Sequence, residues 1–209
     1  MKTVSRQIKQ TVWITLSMSA AMWAIAGCRF DAHKDGNNDN VKIATPFGGM
    51  TVKTNEAAVE GGMGLTVYPG AVLVKKEKDN GNDSGAADVN MSFGSFHLGV
   101  KAISYKTPDS PDKVAGFYRK DMAKYGAVIL CRGNKAVGMP DRTQDGLSCD
   151  RDHTTRLQMD SDGEDQLKVG SKLHQHIVAI DRDGSGAKIA LIALDLPGHL
   201  PGGSDDEKQ

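Results

Sequence analysis

The sequence predicts an α+β fold, an antiparallel β-sheet of hairpins with one main amphipathic helix packed on one face, and three observations carry that expectation. Gly occurs 24 times while aromatic residues make up 5% of the chain, a composition that favours strands of Val, Ile, Leu, Ala and Met joined by turns. Apolar and polar residues alternate on either side of short turn motifs, which is the pattern of half-buried hairpins. One stretch only, Pro111 to Tyr125, has clear helical spacing. At 209 residues the chain suits one domain of ordinary size.

The expected elements run as follows. Val41 and Ile43, then Met50 and Val52, alternate with polar neighbours around Thr45-Pro46-Phe47-Gly48-Gly49, giving strand, turn and strand. Leu65 and Val67 lead into a turn at Tyr68-Pro69-Gly70-Ala71, with an extended path over Val72 to Val74 and a charged, glycine-rich loop from Lys75 to Ala87. Val89 to Phe93 and Phe96 to Tyr105, split by Gly94-Ser95, read as a hairpin. Asp109 or Ser110 can cap the helix and Pro111 fits its first position; Val114, Phe117, Tyr118, Met122 and Tyr125 then form one apolar stripe, and Gly126 ends it. Beyond it come a buried strand at Ala127 to Cys131, a weaker one at Thr154 to Met159, and a hairpin of Leu173 to Asp181 with Lys188 to Leu196.

The ends of the chain differ from this body. Residues 1–9 carry three bases and no acid, and Val12 to Ala26 is free of charge, the n-region and h-region of a secretory signal covering 1–27. That apolar run is short of the roughly 20 residues a membrane-spanning helix needs, which favours removal over retention. It ends in Ile25-Ala26-Gly27-Cys28, which resembles the lipobox of bacterial lipoproteins. The resemblance implies cleavage before Cys28, acylation of Cys28, and attachment to the membrane through that lipid. Arg29 after the cysteine, rather than Asp, points by the sorting habit of lipoproteins to the outer membrane, facing the periplasm of the cell envelope. A plain signal peptide with a coincidental cysteine, or an uncleaved anchor, is the alternative. Polar residues 28–40 read as a flexible tether, 41–196 as the domain, and 197–209 as a disordered tail.

Further motifs, TPFGG (Thr45 to Gly49), YPGA (Tyr68 to Ala71), YKTPDSPDKVAGFY (Tyr105 to Tyr118), and LKVGS followed by HIVAIDRDGSGAKIALI (Leu167 to Ile192), resemble a family of uncharacterised bacterial exported proteins over most of 41–196. The resemblance implies export and brings no catalytic residue.

Chemical signals in the body are sparse. Three of the 26 bases, Lys2, Arg6 and Lys9, precede Cys28 and no acid does, so the chain from Cys28 holds 23 bases against 26 acids. That slightly acidic balance gives no reason to bind nucleic acid. With Cys28 assigned to lipid, Cys131 and Cys149 remain as an even pair in an exported chain and suggest a disulfide; a redox-active pair lacks CxxC spacing, and two free thiols are the third reading. His174 and His176 fall on one face of a strand, but His97 and His153 offer no telling third ligand, so no metal is expected. Asp160 to Asp165 and Asp181 to Gly184 lack the spaced ligands of a calcium loop and read as turns. No nucleophile elbow, phosphate loop or HExxH run is present, and no cofactor is implied. The expected function is therefore a lipid-anchored binding or scaffolding module, with Phe47 and Tyr68 as candidate docking residues and an envelope protein as partner. An envelope hydrolase acting on cell-wall or polysaccharide material through unidentified carboxylates is the rival.

Overall fold

The computed structural model describes residues 28–35, 38–74, 76–78, 81–83, 85–149 and 165–198. The expected signal segment, the strand at Thr154 to Met159 and the tail beyond Gly198 lie outside them. Strands take 54% of the described residues, so the fold is a mostly antiparallel β-sheet carrying helices, and α+β only in a loose sense.

Eleven strands form the main sheet. Their path is β1 (Arg29–Asp35), β2 (Asn38–Thr45), β3 (Gly48–Lys53), β7 (Ala86–Phe93), β8 (Phe96–Thr107), β13 (Gly186–Asp195), β12 (His174–Asp183), β11 (Asp165–Gly170), β9 (Ile129–Arg132) and β10 (Lys135–Ala136); β4 (Val72–Leu73) adds to β8 beside this path. A separate small hairpin joins β5 (Lys76–Lys78) and β6 (Gly81–Asp83). All pairings are antiparallel.

The main helix, α2 (Pro111–Met122), continues as a 3-10 turn over Ala123–Tyr125, as its stripe predicts. Its cap differs from expectation: Ser110 takes the extended N-cap conformation, but no side chain caps the helix, and the Ser110 carbonyl accepts from the amides of Lys113 and Val114. Asp109 is engaged elsewhere, accepting from the Tyr68 hydroxyl at 2.7 Å and pairing with Lys113.

Two features exceed the sequence reading. A second helix, α1 (Glu56–Met63), begins at Asn55, whose side chain accepts from the Ala58 amide at 2.9 Å, and ends at Gly64 in the left-handed region, φ 73°. Gly61 and Gly62 weaken its intrinsic preference, so packing of Val59 and Met63 holds it. The expected tether is corrected as well. Residues 29–35 and 38–45 pair as a hairpin, because Phe30 and Ala32 face Ile43 and Val41 across the ladder and give a polar-looking segment an apolar side.

Both helices stand on one face. Val59 and Met63 of α1 and Val114, Tyr118 and Met122 of α2 pack with Ile103, Tyr105, Leu167, Val169, Val178, Ile180, Ile189 and Leu191 into one core. Phe117 and Tyr118 meet edge to face at 5.0 Å, and Tyr68 meets Phe117 at 5.1 Å. Among the described residues the buried Tyr118 hydroxyl makes no well-formed hydrogen bond, with the Tyr68 backbone beside it.

Cys131 and Cys149 form a disulfide with Cα atoms 5.5 Å apart. Ile129 and Leu147 bury against it, and Thr143 pins the enclosed loop by donating to the Gly170 carbonyl at 2.7 Å while accepting from the Leu147 amide at 3.0 Å.

The loop length implies that removing the bridge, as Cys131→Ala with Cys149→Ala, lowers unfolding stability by about 3 kcal/mol, to be read from urea denaturation. Two of the buried tyrosines, Tyr68 and Tyr118, should respond oppositely. Tyr68→Phe deletes a bond to a carboxylate and lowers the melting temperature, whereas Tyr118→Phe removes a buried hydroxyl that lacks a well-formed bond and leaves it level or raises it, as calorimetry would show.

Candidate binding surface

The sheet has two different sides, and register shows how they are built. On the helix side, strands β3, β7 and β8 present Thr51, Lys53, Asp88, Asn90, His97 and Lys101, a polar set within which Asp88 is buried beside Asn90 and 3.8 Å from Lys101. On the opposite side the same strands are apolar. One row runs Phe30, Ile43, Met50, Met91, Leu98, each the cross-strand partner of the next. The adjacent row runs Ala32, Val41, Val52, Val89, Val100, Leu194. Neither row contains an ionisable side chain, and among the described residues no helix lies on that side.

Toward β12 this side closes over. Ile177, Ile192 and Leu194 are buried against one another and against Val100, Ala102 and Leu196. Toward β1 it opens, with Phe30 67%, Ile43 37% and Phe93 43% exposed. Phe93 pairs with Phe96 next to the β7–β8 turn, and its ring lies over Gly48, where a side-chain carbon would come within 2.7 Å of it. The two turns at this end are tied: the Gly94 amide donates to the Phe47 carbonyl at 3.3 Å.

The docking residues expected from sequence separate in this arrangement. Phe47, at the tip of the β2–β3 turn, is 84% exposed and stands at the open end. Tyr68 is 5% exposed, packs on Phe117 and Tyr118, and spends its hydroxyl on Asp109; as a docking residue it is corrected, because its ring is part of the core. Cys28 is exposed and immediately precedes β1. The open side itself was not foreseen, although the alternation of Phe96, Leu98 and Val100 in β8 carries its signal.

The histidines assemble no ligand set. The His174 ring lies 2.7 Å from the Asp195 carboxylate, and His176 stacks on Tyr125 with centroids 4.2 Å apart. Around His176 the C-terminus of α1 is fastened: the Tyr125 hydroxyl donates to the Gly64 carbonyl, and the His176 ring stacks on Tyr125 beside the Met63 carbonyl. Burial pushes the His176 pKa down, against the Met63 carbonyl and Asp195, which raise it, and with Lys124, which lowers it. Among the described residues no group of three or more His, Cys, Asp or Glu side chains gathers as a metal site would.

Two carboxylates have displaced pKa values. Asp109 is lowered by Lys113 and by the Tyr68 hydroxyl. For Asp121, partial burial acts upward, but the Thr66 amide and hydroxyl and Lys124 prevail and lower it. An open cleft of about 300 Å³ is lined by Arg119, Gly126, Val128, Leu130, Val137 and Met139 among others, with no carboxylate in its wall.

A buried His whose folded pKa lies below its unfolded value near 6.5 costs nothing above that pH, where both states are neutral; stability falls as the pH drops below about 6.5 and the unfolded chain takes the proton first. Histidine NMR titration should place the His176 midpoint below 6.5, and His176→Gln should flatten the decline of melting temperature between about pH 6.5 and 5. No protein-family model matches the chain, and neither a curated protein nor a solved structure matches it.

Proposed function

We propose that the chain is a lipid-anchored protein of the bacterial cell envelope, held in the outer membrane by acylated Cys28 and facing the periplasm, whose sheet domain serves as a binding or scaffolding module. The observation that carries this reading is the sequence Ile25-Ala26-Gly27-Cys28, which follows a charge-free run and places the cysteine, exposed, directly ahead of the first strand. The Cys131–Cys149 disulfide supports it, since such bonds persist in oxidising compartments. The binding role rests on the two adjacent rows of the open side that contain no ionisable residue, a contiguous apolar surface of the kind that marks contact sites. Hydrolysis of a glycosidic bond would ask for a carboxyl group with a raised pKa in a cleft, whereas Asp109 and Asp121 are both displaced downward and the cleft beside α2 has no acid in its wall.

Several acyl chains on one residue hold a protein firmly where one chain does not. Cys28→Ala should therefore abolish incorporation of a palmitate analogue and move the protein to the soluble fraction; retained labelling would sink the assignment. Crosslinking of the tagged protein in intact cells should recover one stoichiometric envelope protein if the module recruits a partner, and its absence would leave the scaffolding role without support.

A further inference from the structure

Four of the chain's five phenylalanines gather at one end of the sheet. Phe30 lies two residues past Cys28, Phe47 tips the β2–β3 turn, and Phe93 and Phe96 flank the β7–β8 turn. Strand register places Phe30, Phe93 and Phe96 on the open side, with Ile43 beside them, and Phe47 projects from the turn that adjoins them. All three phenylalanines that are exposed among the described residues are here. The fifth, Phe117, is packed in the core.

We infer that this phenylalanine end rests in the interfacial layer of a phospholipid bilayer, so that the domain touches the membrane surface beside its anchor. The inference rests on the anchor reading above and goes beyond it, because lipid on Cys28 alone would leave the domain free to stand off in water.

Three observations choose a bilayer over another occupant. First, the chain reaches the membrane at this end: Cys28 is covalently continuous with Phe30, leaving a single residue, Arg29, between lipid and ring. Since β1 begins at Arg29, no slack separates the anchor from the sheet. Second, the rows behind the rings contain no ionisable side chain, whereas the far side of the same strands carries Lys42, Lys53, Asp88 and Lys101. Helices that lie in a membrane interface have this same division, an apolar side toward lipid and a charged side toward water, and these strands repeat it. Third, the exposed rings Phe30, Phe47 and Phe93 cluster at this end, and Phe is among the residues that interfacial elements bury between headgroups and acyl chains.

The chain offers a clean optical test, because its two tryptophans, Trp13 and Trp23, both precede Cys28. In the full chain carrying Trp13→Phe and Trp23→Phe, Phe47→Trp gives one reporter at the open end, and Lys120→Trp gives one on α2, at an exposed position on the far side. Each protein is purified from membranes and reconstituted in phosphatidylethanolamine and phosphatidylglycerol vesicles with brominated acyl chains. The Phe47→Trp protein should emit blue-shifted and lose most of its intensity to bromine, while the Lys120→Trp protein keeps a water-like spectrum and its intensity. Equal weak quenching in both proteins overturns the inference. So does a blue shift of the Phe47→Trp protein that vanishes on dilution with unbrominated lipid at fixed protein, which would assign the surface to a second copy. Phe30→Trp repeats the measurement should Phe47→Trp misfold. The mass of the amino-terminal peptide from the same preparation reads the anchor separately: acylation with no quenching refutes the lipid contact alone, and quenching without acylation upholds the contact while the anchor reading falls.

Discussion

Strand β8 sets the plan of the molecule through a change of phase in its own sequence. In FHLGVKAISYKT the apolar residues fall at even positions from Phe96 through Val100 to Ala102, and at odd positions from Ile103 through Tyr105. Side chains alternate with a period of two along a strand, so this step at Ala102-Ile103 moves the apolar side from one face to the other. Partners on both sides obey it. Toward β7, Met91 and Val89 face Leu98 and Val100; toward β13, Leu191 and Ile189 face Ile103 and Tyr105. The β7 side of the sheet thus turns Val89 and Met91 to the open side, while β12 and β13 supply the helical core and also send Ile177, Ile192 and Leu194 to the opposite side.

The helices follow from that division. Val114, Tyr118 and Met122 need an apolar floor, and β11, β12 and β13 supply it with Leu167, Val169, Val178, Ile189 and Leu191. Helix α1 covers the border, its Val59 and Met63 on the core while Gly62 passes over Lys101, where even a methyl group would come within 2.9 Å of the lysine chain. At its C-terminus the Gly64 carbonyl accepts from the Tyr125 hydroxyl, on whose ring His176 stacks. The same cluster makes His176 a point where acid reaches the core side of the sheet.

Much of this was legible in the sequence. The stripe of α2, the β12–β13 hairpin, the β7–β8 hairpin and the even pair of cysteines all announce themselves by local pattern, and the structure contains each of them. What escaped notice lacked a local signal. Two glycines conceal α1, whose helicity comes from Val59 and Met63 meeting a floor distant in sequence. Polar residues conceal β1, whose alternation rests on Phe30 and Ala32 alone. Tyr68 looked like a surface aromatic beside a Pro-Gly turn, and its burial depends on Phe117 and Asp109, distant along the chain. Phe47 sat in an equally plausible turn with no such partners in reach, and it remained exposed. The open side was written in β8 as a change of phase, which is visible only once strand order shows what lies on each face.

The two-sided sheet therefore decides which methionines and rings meet solvent, and hydroxyl-radical footprinting of the anchored protein reads this directly. Met63 and Met122, buried under the helices, should resist oxidation both in vesicles and after release of the domain from lipid. Met50, Met91 and Phe93 on the open side should be shielded in vesicles and become reactive on release. Met139, exposed at the cleft beside α2, should react in both states. Equal reactivity of Met50 and Met91 with and without lipid would contradict the account, because the open side would then face water or protein in the anchored state.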